Sequence, residues 1–125
     1  VAERLDAVVR EFTRLIVETE TQQRTMLRLS LEQPGGERKD LPLRQGRAVG
    51  WIREALAPLE GIWPDEKIHG LVLAIRSATG IESLVWLTDV AGLSRERAVA
   101  SMRWTAQALL NQALSESQPE QERRM

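Results

Sequence analysis

The chain has 125 residues, with 17 lysines and arginines against 18 aspartates and glutamates, one histidine and no cysteine. Without cysteine there can be no disulfide framework, thiolate metal site or cysteine nucleophile, and a near-neutral, evenly mixed charge leaves no electrostatic footprint for nucleic acid. A chain of this length makes one ordinary domain, which buries about two-thirds of the surface its unfolded form exposes and needs no staple to fold.

Val1, Leu5, Val8, Val9, Phe12, Leu15 and Ile16 recur at three- and four-residue steps and define one face of a first helix, with Glu3, Arg4, Arg10, Glu11 and Arg14 on the others. Arg4 and Asp6 interrupt the first apolar residues, which argues against a signal peptide. Thr19 and Gln22 have capping-box spacing, so a second helix is expected from about residue 20. It runs through Met26, Leu27, Leu29 and Leu31 and stops before Pro34-Gly35-Gly36, where residues 34–40 read as a loop. Pro42 suits the first turn of a third helix, whose core stripe is Val49, Ile52, Leu56 and Leu59, with Trp51 and Ala55 beside it. Pro58 and Gly61 end that helix.

Pro64-Asp65-Glu66 reads as the next helix start, with acidic side chains complementing the dipole. From here to about residue 91 the pattern changes. Leu71 to Ile75 and Leu84 to Leu87 are apolar on nearly every face, as in helices buried on more than one side. Arg76, Glu82 and Asp89 make this stretch a poor bilayer span. Gly80 is placed to kink or divide it, and Gly92 to end it as a left-handed C′ residue. Ser94 then caps a last helix, with Leu93 placed to staple onto Ala98. This helix runs to about Leu114 and is apolar on more than one face through Val99, Met102, Trp104, Ala106, Leu109, Leu110 and Ala113. The expected fold is all-α, a five- or six-helix bundle over residues 1–114, followed by a polar, disordered tail at 115–125.

The last two helices each have one face for their own core and a second apolar face left over, more than a soluble monomer usually exposes. Gly70, Ala74 and Ala78 lie at four-residue spacing and would let another helix approach closely, within the subunit or across an interface. A homodimer is therefore expected, in which these helices form a four-helix bundle about a twofold axis, with Ala74, Ala78, Ile81, Val85, Met102, Leu109 and Ala113 at the contact.

The same helices carry a family resemblance. The run from Gly80 to Ser94 (Gly-Ile-Glu-Ser-Leu-Val-Trp-Leu-Thr-Asp-Val-Ala-Gly-Leu-Ser), then Met102-Arg103-Trp104-Thr105-Ala106-Gln107-Ala108-Leu109-Leu110, is similar to the C-terminal part of TetR-type transcriptional regulators. Met26 to Glu32 resembles their mid-domain helix. The resemblance covers residues 1 to about 114. It implies a cytoplasmic, homodimeric effector-binding domain that senses a small, mainly apolar molecule and relays occupancy to an N-terminal helix-turn-helix module. The helices of that module are missing from this chain, in keeping with its start at Val1 without methionine, so operator DNA is expected as a partner only through them. The alternative is a helical bundle that dimerises or docks a partner and binds no ligand.

No catalytic residue, cofactor, metal or membrane contact is expected. Glu66 and His69 form one E-x-x-H pair, whereas a di-iron bundle needs two and further glutamates. There is no G-x-S-x-G, Walker or dinucleotide glycine pattern. A pocket is the remaining possibility. Four tryptophans stand against one phenylalanine and no tyrosine, and an indole offers a broad apolar face with one donor. Trp51 and Trp63 are candidates to line a cavity, with Phe12, Ile16, Met26 and Ile52 completing its wall, while Trp86 and Trp104 suit core or interface. Arg76 sits among apolar residues and must find a partner: Glu82, solvent reached by snorkelling, or a polar group of a ligand.

Overall fold

Leu5, Val9 and Ile16 fall on one stripe because their spacings of four and seven residues return to the same side of an α-helix, and the backbone follows. The computed structural model describes residues 1–32 and 47–117. Ala2–Glu18 forms α1 and Glu20–Glu32 forms α2. Their junction differs from the capping box expected there. Thr19 closes α1 instead of opening α2: its N–H and its hydroxyl both donate to the Leu15 carbonyl, at 2.9 and 2.7 Å. Its own carbonyl accepts from the Gln23 N–H at 2.9 Å, so the hydrogen-bond ladder passes almost unbroken into α2.

Arg47–Ala55 forms α3; the expected start at Pro42 and the loop at 34–40 lie outside the described residues. A single 3₁₀ turn, Ala57–Leu59, comes next, with Pro58 where no amide donor is needed. Asp65–Thr79 forms α4, with Asp65 and Glu66 in its first turn, as the dipole favours. The helix breaks at Gly80, and Ile81–Val85 forms α5, which widens into a π-helical turn at Trp86–Val90. Here the Ala91 N–H bonds the Trp86 carbonyl and the Leu93 N–H bonds the Leu87 carbonyl, both at 2.9 Å. This is a Schellman-like ending with one residue added by the wider turn, and Gly92 supplies the left-handed conformation it requires, with φ of +78°. Arg95–Ser117 forms α6, capped by the Ser94 hydroxyl accepting from the Arg97 N–H at 3.2 Å. The helix thus takes in residues 115–117, which the sequence assigns to the tail; 118–125 lie outside the described residues.

Among the described residues the fold is all-α, a bundle with α6 laid against α1 and α4 and α3 packed on both of those. Two core clusters share α1 and α6. The first joins Leu5 and Val9 of α1, Ile52, Ala55 and Leu56 of α3 and its end, Ile68, Leu71, Val72 and Ile75 of α4, and Ala106 and Leu110 of α6. The second joins Ile16, Ile81, Leu84, Ala98 and Met102. The break at Gly80 is the boundary: α4 serves the first cluster and α5 the second. The Asp65–Val90 stretch is long and apolar enough by composition to cross a membrane, but in the fold it is broken at Gly80 and spanned by an ion pair.

Charged side chains tie the outer helices. Arg103 of α6 holds Asp6 of α1 at 3.1 and 2.9 Å, and this pairing lowers the Asp6 pKa. Arg4 reaches the carbonyls of Glu54 and Ala55 at 2.8 and 3.3 Å, satisfying acceptors at the end of α3 that have no partner within the helix.

Candidate functional site

Two places on this framework stand out: a corner where α1, α3, α4 and α5 meet, and an outer face shared by α5 and α6.

The corner is built on Gly80. A Cβ at this residue would fall 1.8 Å from Nη1 of Arg76 and 2.5 Å from Oε2 of Glu82. What glycine gives here is space for these two side-chain ends, since its φ of −90° is open to any residue. The bare backbone lets the Arg76 guanidinium, on the last turn of α4, cross the helix break to Glu82 on the first turn of α5. Nη1 donates to Oε2 at 3.0 Å and Nη2 to Oε1 at 3.3 Å. The Ser83 hydroxyl adds a second bond over the break, donating to the Ser77 carbonyl at 2.9 Å. The guanidinium also lies 5.7 Å from the centre of the Phe12 ring, within cation–π range. Phe12 in turn meets Trp51 of α3 edge-on, at 6.2 Å and 75°. A cationic fork is thus held beside one aromatic ring, which a second ring meets edge-on.

Of the residues assigned to a ligand wall, Phe12, Trp51 and Arg76 come together at this corner. Of the three partners open to Arg76, it takes Glu82. Ile16 and Ile52 are buried in different core clusters. Met26 is half-buried on α2. Trp63 belongs elsewhere. It packs on the first core with the Lys67 ammonium 4.1 Å from its ring centre, and Lys67 also donates to the Ser117 hydroxyl. Lys67 and Arg76 are nine residues apart on α4, about 14 Å along its axis. Trp63 therefore shares no wall with Trp51 near Arg76.

The outer face carries Trp86, 58% exposed, and Trp104, 73% exposed, so neither is a core residue. Leu73 of α4 is also exposed. Between α4–α5 and α6 runs an open groove of about 330 Å³, lined by Ala78, Glu82, Ser83, Trp86, Leu87, Ser101, Met102 and Thr105. This is the small end of the range for ligand pockets, about 300–1,000 Å³. Trp104 stands on the crest of α6 beside Ser101 and Thr105, and its other side borders a wider depression against α1.

The residues expected at a dimer contact divide on this geometry. Ala74, Ala78 and Val85 are half-buried; Ala78 lines the outer groove, and Val85 leans on the second core cluster. Ile81 and Met102 are each only 1% exposed. They pack inward with Ile16 and Leu84, which corrects their assignment as main contact residues: Ile81 is covered, and Met102 offers only the trace of surface that lines the groove. Leu109 and Ala113 lean on the first core cluster. The signal that separates them is rotation about the helix axis. Ala98, Met102, Ala106 and Leu110 share the inner stripe at four-residue spacing, and Trp104 lies nearly opposite.

A third cluster is structural. The Glu20 carboxylate takes the Arg95 guanidinium at 2.6 and 2.7 Å and Nε of Arg24 at 2.8 Å. The terminal nitrogens of Arg24 go on to Asp89. Hydrogen bonds from Arg95 and then Arg24 pull the Glu20 carboxyl down to about 2, and Arg24 does the same for Asp89.

Among the described residues no group of three or more His, Asp or Glu side chains is arranged to hold a metal ion, and no buried side-chain nitrogen or oxygen lacks a hydrogen-bond partner. Comparison with family models, with curated proteins and with solved structures gives no match to this chain.

Proposed function

We propose that this chain is the effector-binding and dimerisation domain of a TetR-type transcriptional regulator, acting as a homodimer and passing effector occupancy to a helix-turn-helix module outside these 125 residues. The family is proposed from the resemblance of residues 80–94 and 102–110. The observation that carries the dimer is the pair of exposed indoles, Trp86 and Trp104, on the face made by the last helices.

Two large aromatic side chains standing in water on the last helices are exposed apolar surface of the kind that marks an interaction site. The same face carries a groove with small residues in its floor and walls, Ala78, Ser83, Ser101 and Thr105. Knob and groove on one surface make that surface self-complementary. A twofold axis beside α6 puts an indole of each copy against the groove of the other, which is the isologous arrangement that closes a dimer. Near-neutral net charge imposes no repulsion between two copies.

Light scattering over a dilution series tests this reading. The wild-type chain is expected at twice its monomer mass, and Trp86→Glu plus Trp104→Glu at the monomer mass with unchanged helical circular dichroism. A wild-type monomer at micromolar concentration overturns the dimer and favours a bundle that docks a different partner.

A further inference from the structure

We propose that Arg76 is an exchangeable anion seat: a ligand bearing a carboxylate on a flat apolar body takes the place of Glu82 on its guanidinium. The inference rests on the effector-binding reading above and adds the chemical class of the effector.

The fork is already occupied by a carboxylate, with Nη1 and Nη2 each donating to one oxygen of Glu82. That is the two-point geometry by which arginine recognises carboxylates in general. The partners are unequal in exposure: the Arg76 side chain is 19% exposed and the Glu82 side chain 42%. Glu82 can therefore swing into water at small cost. Arg76 cannot follow without leaving the Phe12 ring and the bare backbone of Gly80. When the internal carboxylate leaves, the guanidinium stays behind, partly desolvated and in need of another anion. Phe12 lies beside it, with Trp51 meeting Phe12 edge-on from behind, so the anion that fits best carries an apolar, flat body that an aromatic wall begun by Phe12 can cover.

The exchange has a consequence for the dimer face. Glu82 lines the groove that Trp86 also lines. Released from Arg76, its charge turns towards that groove, and the clasp between α4 and α5 is reduced to the Ser83–Ser77 hydrogen bond. A ligand at Arg76 thereby acts on the relation between the two helices, as coupling requires: it binds one arrangement of the clasp and competes with the other.

The probe is 2-naphthoate, with neutral 2-naphthamide as its control, titrated calorimetrically at neutral pH into the full chain. Naphthoate is expected to bind and naphthamide not. Glu82→Gln, which removes the internal competitor, tightens naphthoate binding about tenfold, and Arg76→Lys, which keeps charge and loses the fork, weakens it about tenfold or more. Gly80→Ala, which pushes the guanidinium aside while keeping both charges, also weakens it. Equal binding of acid and amide, binding only to Glu82→Gln, or no binding to either protein overturns the proposal. The solution mass of Glu82→Gln and Arg76→Lys stays that of the wild type. Loss of the anion seat and loss of the dimer are thus read by separate measurements.

Discussion

Arg24 of α2 grips Asp89 of the π-helical turn with both terminal nitrogens, at 2.8 and 2.9 Å. The two residues are 65 positions apart in the chain. The pair joins α2 to the end of α5, and Glu20, bonded to Arg24 and to Arg95 at the start of α6, ties a third element into the same cluster. The Glu20 side chain is only 14% exposed, while Arg95 and Asp89 are about half exposed, so the centre of the cluster at Glu20 is better shielded than a surface ion pair, which is worth about 0–1 kcal/mol.

Its pH dependence comes from the depressed carboxyls. Glu20 falls from an ordinary 4.5 to about 2, and Asp89 from 3.8 to about 2. A lowered folded-state pKa contributes stability that is complete above the unfolded value and lost as pH falls towards the folded one. Denaturant midpoints are expected to hold level down to about pH 5 and to decline from there towards pH 2. Glu20→Gln costs about 1–2 kcal/mol at pH 7 and flattens the acid decline. An equally steep decline in this variant shows that other groups dominate.

At Gly80 the expected result is a coupling. Gly80→Ala places a methyl group where Arg76 and Glu82 meet, and opening this partly exposed pair costs up to about 1 kcal/mol. In an Arg76→Ala background the same substitution is nearly neutral, because the guanidinium no longer occupies that space. Urea melts of the four proteins in the cycle measure the difference, and additive effects refute the close approach as the reason for glycine.

Thr13 is fully buried in α1, and its hydroxyl donates to the Val9 carbonyl at 2.8 Å and the Arg10 carbonyl at 3.1 Å. Both acceptors already lie within a helical ladder, so the hydroxyl adds little. Thr13→Val keeps the β-branched shape and replaces a buried polar group with an apolar one. It is expected to be neutral or to stabilise by up to about 1 kcal/mol in chemical denaturation. A loss above about 1 kcal/mol means that these hydrogen bonds carry weight of their own.

Met102→Ala and Trp104→Ala, two residues apart on α6, are expected to separate cleanly. Met102 fills the second core cluster, so its truncation costs about 2–5 kcal/mol and leaves the mass in solution unchanged under conditions where the chain stays folded. Trp104 projects outward, so its truncation weakens self-association on dilution. Reversed outcomes would show that α6 is rotated from the orientation described.

The helices themselves are local facts, and the sequence states them. Spacings of three and four apolar residues mark α1 and α3, Ser94 caps α6, and Gly92 supplies the left-handed residue that ends the π-helical turn. The break at Gly80 is legible too, though the letters do not show its purpose. Four features depended on the tertiary structure. Thr19 could cap either neighbour, and the ladder running through it into α2 assigns it to α1. Ile81, Met102, Trp86 and Trp104 are all apolar on helices with more than one apolar face. Which pair faces inward depends on rotation about the helix axis, set by α1 and α4 packed alongside. The π-helical turn, with its extra residue, shifts the phase at which α6 begins by an amount that composition does not encode. Arg76 could have paired in several ways, and the choice of Glu82 is made by the helix break at Gly80, which brings the two charges together across bare backbone. Local spacing decides that a helix forms. Burial decides which side is inside, and burial is a property of all the elements together.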